Sequence, residues 1–119
     1  MRILLVDDEQ ELVETLAERL KIRGIEACWA TTGDAAMDFL EDENFDLAVL
    51  DVKLPGISGI ELHKKMKTKC PDLKFIFITG HGSQDDYAAG TAQTGEDYYL
   101  LKPVNIDQLM DKMTKLLSR

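Results

Sequence analysis

The chain is poor in cysteine, and its cysteines have no metal-binding spacing. Cys28 and Cys70 are the only two. They stand far apart and read as reduced, packed thiols of a reducing compartment. Basic charge is also scarce. Lys and Arg number 14 against 22 Asp and Glu, for a formal net charge of −8. Such a chain has no general attraction for a phosphate backbone, so direct nucleic-acid binding is not expected. The one basic cluster, Lys64, Lys65, Lys67 and Lys69, reads as a solvated helix face, with a docking patch as the alternative. No apolar run approaches the ~20 residues of a membrane-spanning helix. The N-terminus enters a predicted strand at once, so no signal peptide is expected. Repeats, low-complexity tracts and linkers are missing too. A soluble, cytoplasmic chain is expected, and its 119 residues suit a single domain over 1–119.

What is present is a set of short apolar runs, each closed by a chemically capable residue. Ile3-Leu4-Leu5-Val6 leads into Asp7 and Asp8, and Leu47-Ala48-Val49-Leu50 into Asp51. Phe75-Ile76-Phe77-Ile78 leads into Thr79, and Tyr98-Tyr99-Leu100-Leu101 into Lys102. Runs of this length between helix-like stretches predict buried parallel strands. A less apolar strand over about Glu26–Ala30 suits a sheet edge. The first helix carries Leu12, Val13, Leu16, Ala17 and Leu20 on one face and stops at Gly24. The second covers about Asp34–Glu41, with Ala36, Met37 and Leu40 inward. After the Pro55-Gly56 turn, Ser58-Gly59-Ile60-Glu61 reads as a capping box that opens the third. Cys70-Pro71-Asp72 closes it. Ser83 caps a fourth helix beyond the Gly80-His81-Gly82 turn. Asn105 caps the last, whose apolar stripe is Ile106, Leu109, Met110, Met113, Leu116 and Leu117.

Five strand–helix units predict an α/β fold, a parallel sheet with helices on both faces. Strand order 2-1-3-4-5, the flavodoxin-like (βα)5 arrangement, puts strands 1 and 3 together where the order reverses. Asp7, Asp8 and Asp51 then share one strand-end pocket with Thr79 and Lys102. Three clustered carboxylates repel one another without a cation, so at least one pKa should be raised. Magnesium prefers such oxygen ligands. A carboxylate facing an ammonium is suited to accept a phosphoryl group.

These residues resemble the receiver domain of bacterial two-component response regulators, over essentially the whole chain. The marks are Leu5-Val6-Asp7-Asp8-Glu9, the run Leu50 to Gly59, Thr79-Gly80-His81-Gly82 and Lys102-Pro103. The turn after Thr79 is most similar to regulators of the nitrogen and dicarboxylate-control type. Tyr98 and Glu96 depart from the family pattern, which favours an acidic and a small residue there. The resemblance implies that Asp51 receives a phosphoryl group from a sensor histidine kinase or a phosphotransfer protein. It implies Mg2+ held by Asp7, Asp8, Asp51 and the backbone carbonyl of Lys53. Thr79 and Lys102 then bind phosphoryl oxygens, Tyr99 swings between exposed and buried, and the Lys102-Pro103 bond is cis. The surface made by the helix around Tyr87–Gln93, the fifth strand and the last helix changes to control an output domain or a phosphorylation-dependent dimer. The chain catalyses only its own phosphorylation and dephosphorylation.

Each residue alone has a plainer reading. Asp7 and Asp8 precede a helix, and acids favour helix N-termini. Thr79 is also an ordinary strand-end hydroxyl, and Lys102 pairs with any nearby carboxylate. His63 reads as a surface residue of the third helix. His81 and Lys53 stand where they tune the access of water. Cys28-Trp29 reads as strand packing. The helix around Gly90 has few large apolar residues and is expected to be weakly held, since a helical glycine costs ~1 kcal/mol against alanine. Three other functions compete. A flavodoxin-like cofactor binder needs a Ser, Thr and Gly phosphate loop where Asp7-Asp8-Glu9 stands. A metal-dependent hydrolase with an Asp nucleophile needs a second carboxylate where Lys53 stands. A module that is never phosphorylated leaves a complete set of site residues unused.

Overall fold

The computed structural model describes residues 1–80 and 99–118. Its elements are β1 (Arg2–Val6), α1 (Gln10–Ile22), β2 (Glu26–Ala30), α2 (Gly33–Asp42), β3 (Leu47–Asp51), α3 (Gly59–Lys69), β4 (Lys74–Thr79), β5 (Tyr99–Leu101) and α4 (Ile106–Leu117). All strand pairs are parallel. The order is β2-β1-β3-β4-β5, as the apolar runs predict. The helix predicted after Ser83, with His81, Gly82, Gly90, Glu96 and Tyr98, lies outside the described residues.

Helix ends follow local chemistry. Ser58 Oγ accepts the Glu61 N–H at 3.1 Å, and Asn105 Oδ1 accepts the N–H groups of Asp107 and Gln108. Such caps satisfy donors that the first helical turn leaves unpaired. Thr32 caps α2 through the Ala35 N–H. That helix therefore starts at Gly33, one residue earlier than its apolar pattern suggests. Gly24, at φ +81°, ends α1 in the left-handed conformation that glycine adopts freely.

Burial on both faces explains the continuous apolar strands. On one face Ile3, Leu5, Val49 and Ile76 pack with Val13, Leu16 and Leu20 of α1 and Leu109, Met113 and Leu116 of α4. On the other, Leu4, Val6, Leu50 and Phe77 pack with Ala36 and Leu40 of α2 and Leu62 and Met66 of α3. Each fully buried side chain of this size contributes ~1.5–3 kcal/mol. β2 is only half-buried along most of its length, as an edge strand should be. Cys28 and Trp29 are half-buried there, packed against opposite faces of the core. Among the described residues no helix is long and apolar enough to cross a membrane.

Candidate phosphoryl-acceptor site

The site lies at the carboxyl ends of β1, β3, β4 and β5. Val6 pairs with Leu50, Asp51 with Ile78, and Thr79 with Leu101. This register brings Asp7 and Asp8 beside Asp51, and Lys102 in from the end of β5. One carboxylate oxygen each from Asp7, Asp8 and Asp51 lies within 4.8 Å of the other two. Asp7 is fully buried and Asp51 nearly so, whereas Asp8 is exposed.

Backbone amides fix the two buried carboxylates. Asp7 Oδ1 accepts the Glu9 N–H at 2.9 Å, and Asp51 Oδ1 accepts the Lys53 N–H at 3.0 Å. Their other oxygens face Lys102. The ammonium lies 2.9 Å from Asp7 Oδ2 and 3.2 Å from Asp51 Oδ2. It lies closest of all, at 2.7 Å, to Glu9 Oε1. The Lys102-Pro103 peptide bond is cis, as the resemblance implies.

Electrostatics follow from this crowding. Burial raises the Asp7 carboxyl to about 6, aided by the Asp51 charge and opposed by the Glu9 N–H and by Lys102. Burial also raises Asp51, with the Asp8 charge, against the Lys53 N–H and Lys102. For Lys102, burial disfavours the charge. Hydrogen bonds to Glu9 and Asp7 and the charges of Asp7 and Asp51 outweigh it, so its pKa is raised. The chain therefore holds two carboxylates at a cost that a nearby cation relieves. Three carboxylates offering oxygens in one cluster fit a hard divalent ion such as Mg2+.

The helix behind Asp51 is set closely against it. The Gly59 N–H donates to Val52 O at 2.7 Å. A Cβ at residue 59 would overlap the Asp51 carbonyl oxygen and stand 2.8 Å from Val52 Cα. Only glycine lets α3 begin this close to the strand end.

Thr79 is fully buried, and its hydroxyl has no hydrogen-bond partner among the described residues. Its carbonyl accepts the Lys102 N–H at 2.7 Å, so the backbones of the two residues are tied. Tyr99 is buried, its ring stacked on Phe77 at 5.0 Å between centroids. His63 is half-buried and meets Phe75 and Phe77 edge-on, at 4.4 and 5.2 Å. It packs on strand aromatics and is only partly exposed, deeper than its helix position suggests. The contact missed in the sequence is Glu9 to Lys102. Its only advance signal is a third acid following Asp7 and Asp8.

Comparison with known proteins agrees with this geometry. The family model for the response regulator receiver domain matches residues 3–114. Response regulator MprA of Mycobacterium avium is 34% identical over 119 residues, covering 100% of this chain and 52% of that protein. Response regulator RppA of Synechocystis is 35% identical over 121 residues, covering 100% of this chain and 51% of that protein. The chain thus spans about half the length of the curated relatives it matches. A CheY-like receiver domain from Methanospirillum hungatei superposes with a TM-score of 0.86 at 34% identity, over 98% of this chain and 93% of that one. The Thermotoga maritima regulator TrrA, crystallised with Mg(2+)-BeF, superposes with a TM-score of 0.81 at 37% identity, over 98% of both chains. The chain belongs to the response regulator receiver domain family, the phosphorylation-activated switches of two-component signalling.

Proposed function

We propose that Asp51 is the phosphoryl acceptor of this receiver, and that residues 1–119 act as one receiver domain. The observation that carries the proposal is the convergence at Asp51. Two further carboxylates stand beside it, and the Lys102 ammonium lies 3.2 Å from its Oδ2. Phosphoryl transfer depends on positioning and on balancing charge at the phosphoryl oxygens. A carboxylate oxygen of Asp51 forms the new O–P bond. The bond to the donor breaks, and the donor's imidazole or acetate leaves with the electron pair. Asp7, Asp8, Asp51 and the Lys53 carbonyl would hold Mg2+, which would supply charge neutralisation at the phosphoryl oxygens. Lys102 offers its ammonium to one of those oxygens. Thr79, whose hydroxyl has no partner among the described residues, donates it to another.

That last contact exists only after phosphorylation, so it biases one conformation over the other. Through β4 it reaches Tyr99 and the β5–α4 face, the surface offered to an output domain or a second receiver. The donor is a sensor histidine kinase or a phosphotransfer protein. The chain acts on no substrate but itself, works in the cytoplasm and does not itself bind nucleic acid. Incubation with acetyl phosphate and Mg2+ tests the reading by intact mass. One phosphoryl group should be gained, and Asp51→Asn should gain none. An equal gain by the variant would place the acceptor elsewhere.

A further inference from the structure

Glu9 occupies the N-cap of α1, yet its side chain makes no capping hydrogen bond. It reaches instead to Lys102 Nζ at 2.7 Å. It is not one of the three carboxylates clustered for a metal. We propose that Glu9 is a positioning residue: it anchors the Lys102 ammonium at the mouth of the acidic nest and competes for it with the phosphoryl group on Asp51. This deepens the receiver reading and rests on it.

The argument is one of donors and acceptors. A lysine ammonium has three N–H donors. Here it hydrogen-bonds Glu9 and Asp51 and stands in an ion pair with Asp7. A phosphoryl group turns the Asp51 carboxylate into an ester and brings its own acceptors, so Glu9 and the phosphoryl oxygens draw on the same ammonium. Asp7 is not the competitor, because it is fully buried and belongs to the carboxylate cluster that would face the cation. The Glu9 side chain is 60% exposed, so water can solvate its carboxylate once the ammonium leaves. Lysine suits the exchange, being a compact charge on a flexible stem. Glu9 therefore holds Lys102 ready while Asp51 is free, and it draws the ammonium away from the phosphoryl group afterwards. An exposed ion pair of this kind is worth a factor of about two to five in an equilibrium.

The test is beryllofluoride binding at saturating Mg2+, measured by calorimetry on wild type, Glu9→Gln and Glu11→Gln. Glu11 lies in the first turn of α1 and is exposed, so it reports the general loss of one negative charge. Glu9→Gln should bind about two- to five-fold more tightly than wild type, and Glu11→Gln should match wild type. In metal-free protein the Lys102 ammonium protons, followed by NMR, should exchange with water faster in Glu9→Gln. Equal gains from both variants, no gain from Glu9→Gln, or unchanged proton exchange would overturn the role of Glu9 while leaving the receiver intact. A wild type that neither binds beryllofluoride nor gains mass from acetyl phosphate would overturn the receiver reading and this inference together.

Discussion

Replacing Asp7 by Asn should reverse part of the pH dependence of folding stability in metal-free buffer. The Asp7 carboxyl titrates at about 6 in the folded chain, against an ordinary value of 3.8, chiefly because it is buried. A raised folded value means that the native state binds the proton more tightly than the unfolded chain does. Its stabilising effect is complete below pH ~4 and is lost as pH rises through about 6. Each pKa unit is worth ~1.36 kcal/mol, so the loss amounts to ~3 kcal/mol. Asn keeps an oxygen for the Glu9 N–H, which Asp7 Oδ1 accepts at 2.9 Å. It gives up the ion pair with Lys102, which forms only as Asp7 ionises and is already contained in the folded value of about 6. Urea unfolding of both proteins in EDTA, from pH 4 to 8, isolates the effect. The stability of Asp7→Asn relative to wild type should climb by ~2.4 kcal/mol between pH 4 and 7, then level off. Saturating wild type with Mg2+ at 100 times its Kd should return ~2.7 kcal/mol at pH 8, and the variant should gain much less. A flat difference across this range, or one that falls with pH, would refute the claim that the nest holds a strained carboxylate.

Three other predictions follow from single side chains. Thr79→Val keeps the shape and removes a buried hydroxyl that has no partner among the described residues. It should raise the stability of the unphosphorylated protein by ~1 kcal/mol in urea, permit phosphorylation and leave the Tyr99 ring signals unmoved by it. Gly59→Ala pushes a methyl into the backbone at Asp51 and Val52; it should cost about 3 kcal/mol and slow the gain of mass from acetyl phosphate. His63 is held below its usual value of 6.5 by burial and by Lys67 and Lys64. Stability should therefore fall as pH drops below ~6.5, and His63→Phe should lessen that fall in thermal melts between pH 7 and 5.

Much of this molecule was readable from its sequence, for reasons that are local. β3 and β4 are continuous apolar runs because helices cover both faces of the sheet, and that pattern needs no tertiary knowledge. Ser58 and Asn105 act within three residues of themselves, so their caps could be named in advance. The strand ends were equally plain, and with them the meeting of Asp7, Asp8, Asp51 and Lys102. The order of burial within the acidic pair was not. Asp7 is enclosed and Asp8 exposed, a difference set by how β1 leaves the sheet. Glu9 and Lys102 are 93 residues apart, and periodicity carries no information about which rotamers meet. His63 looked like a surface residue because α3 is mostly lysine around it, and only the packed sheet reveals Phe75 and Phe77 beneath it.

The row of rings from His63 through Phe77 to Tyr99 has a volumetric consequence. Tyr99 lies flat on Phe77, tilted by only 20°, and serves as a plug at the end of the row. Should it turn to solvent, a void the size of a phenol would open beside Phe77, and close-packed interiors do not tolerate such voids cheaply. The outward rotamer is thus accessible only if some other group slides into the vacated space. Were Tyr99 to move, it and its replacement would have to exchange places together, a step between two packings rather than a gradual swing.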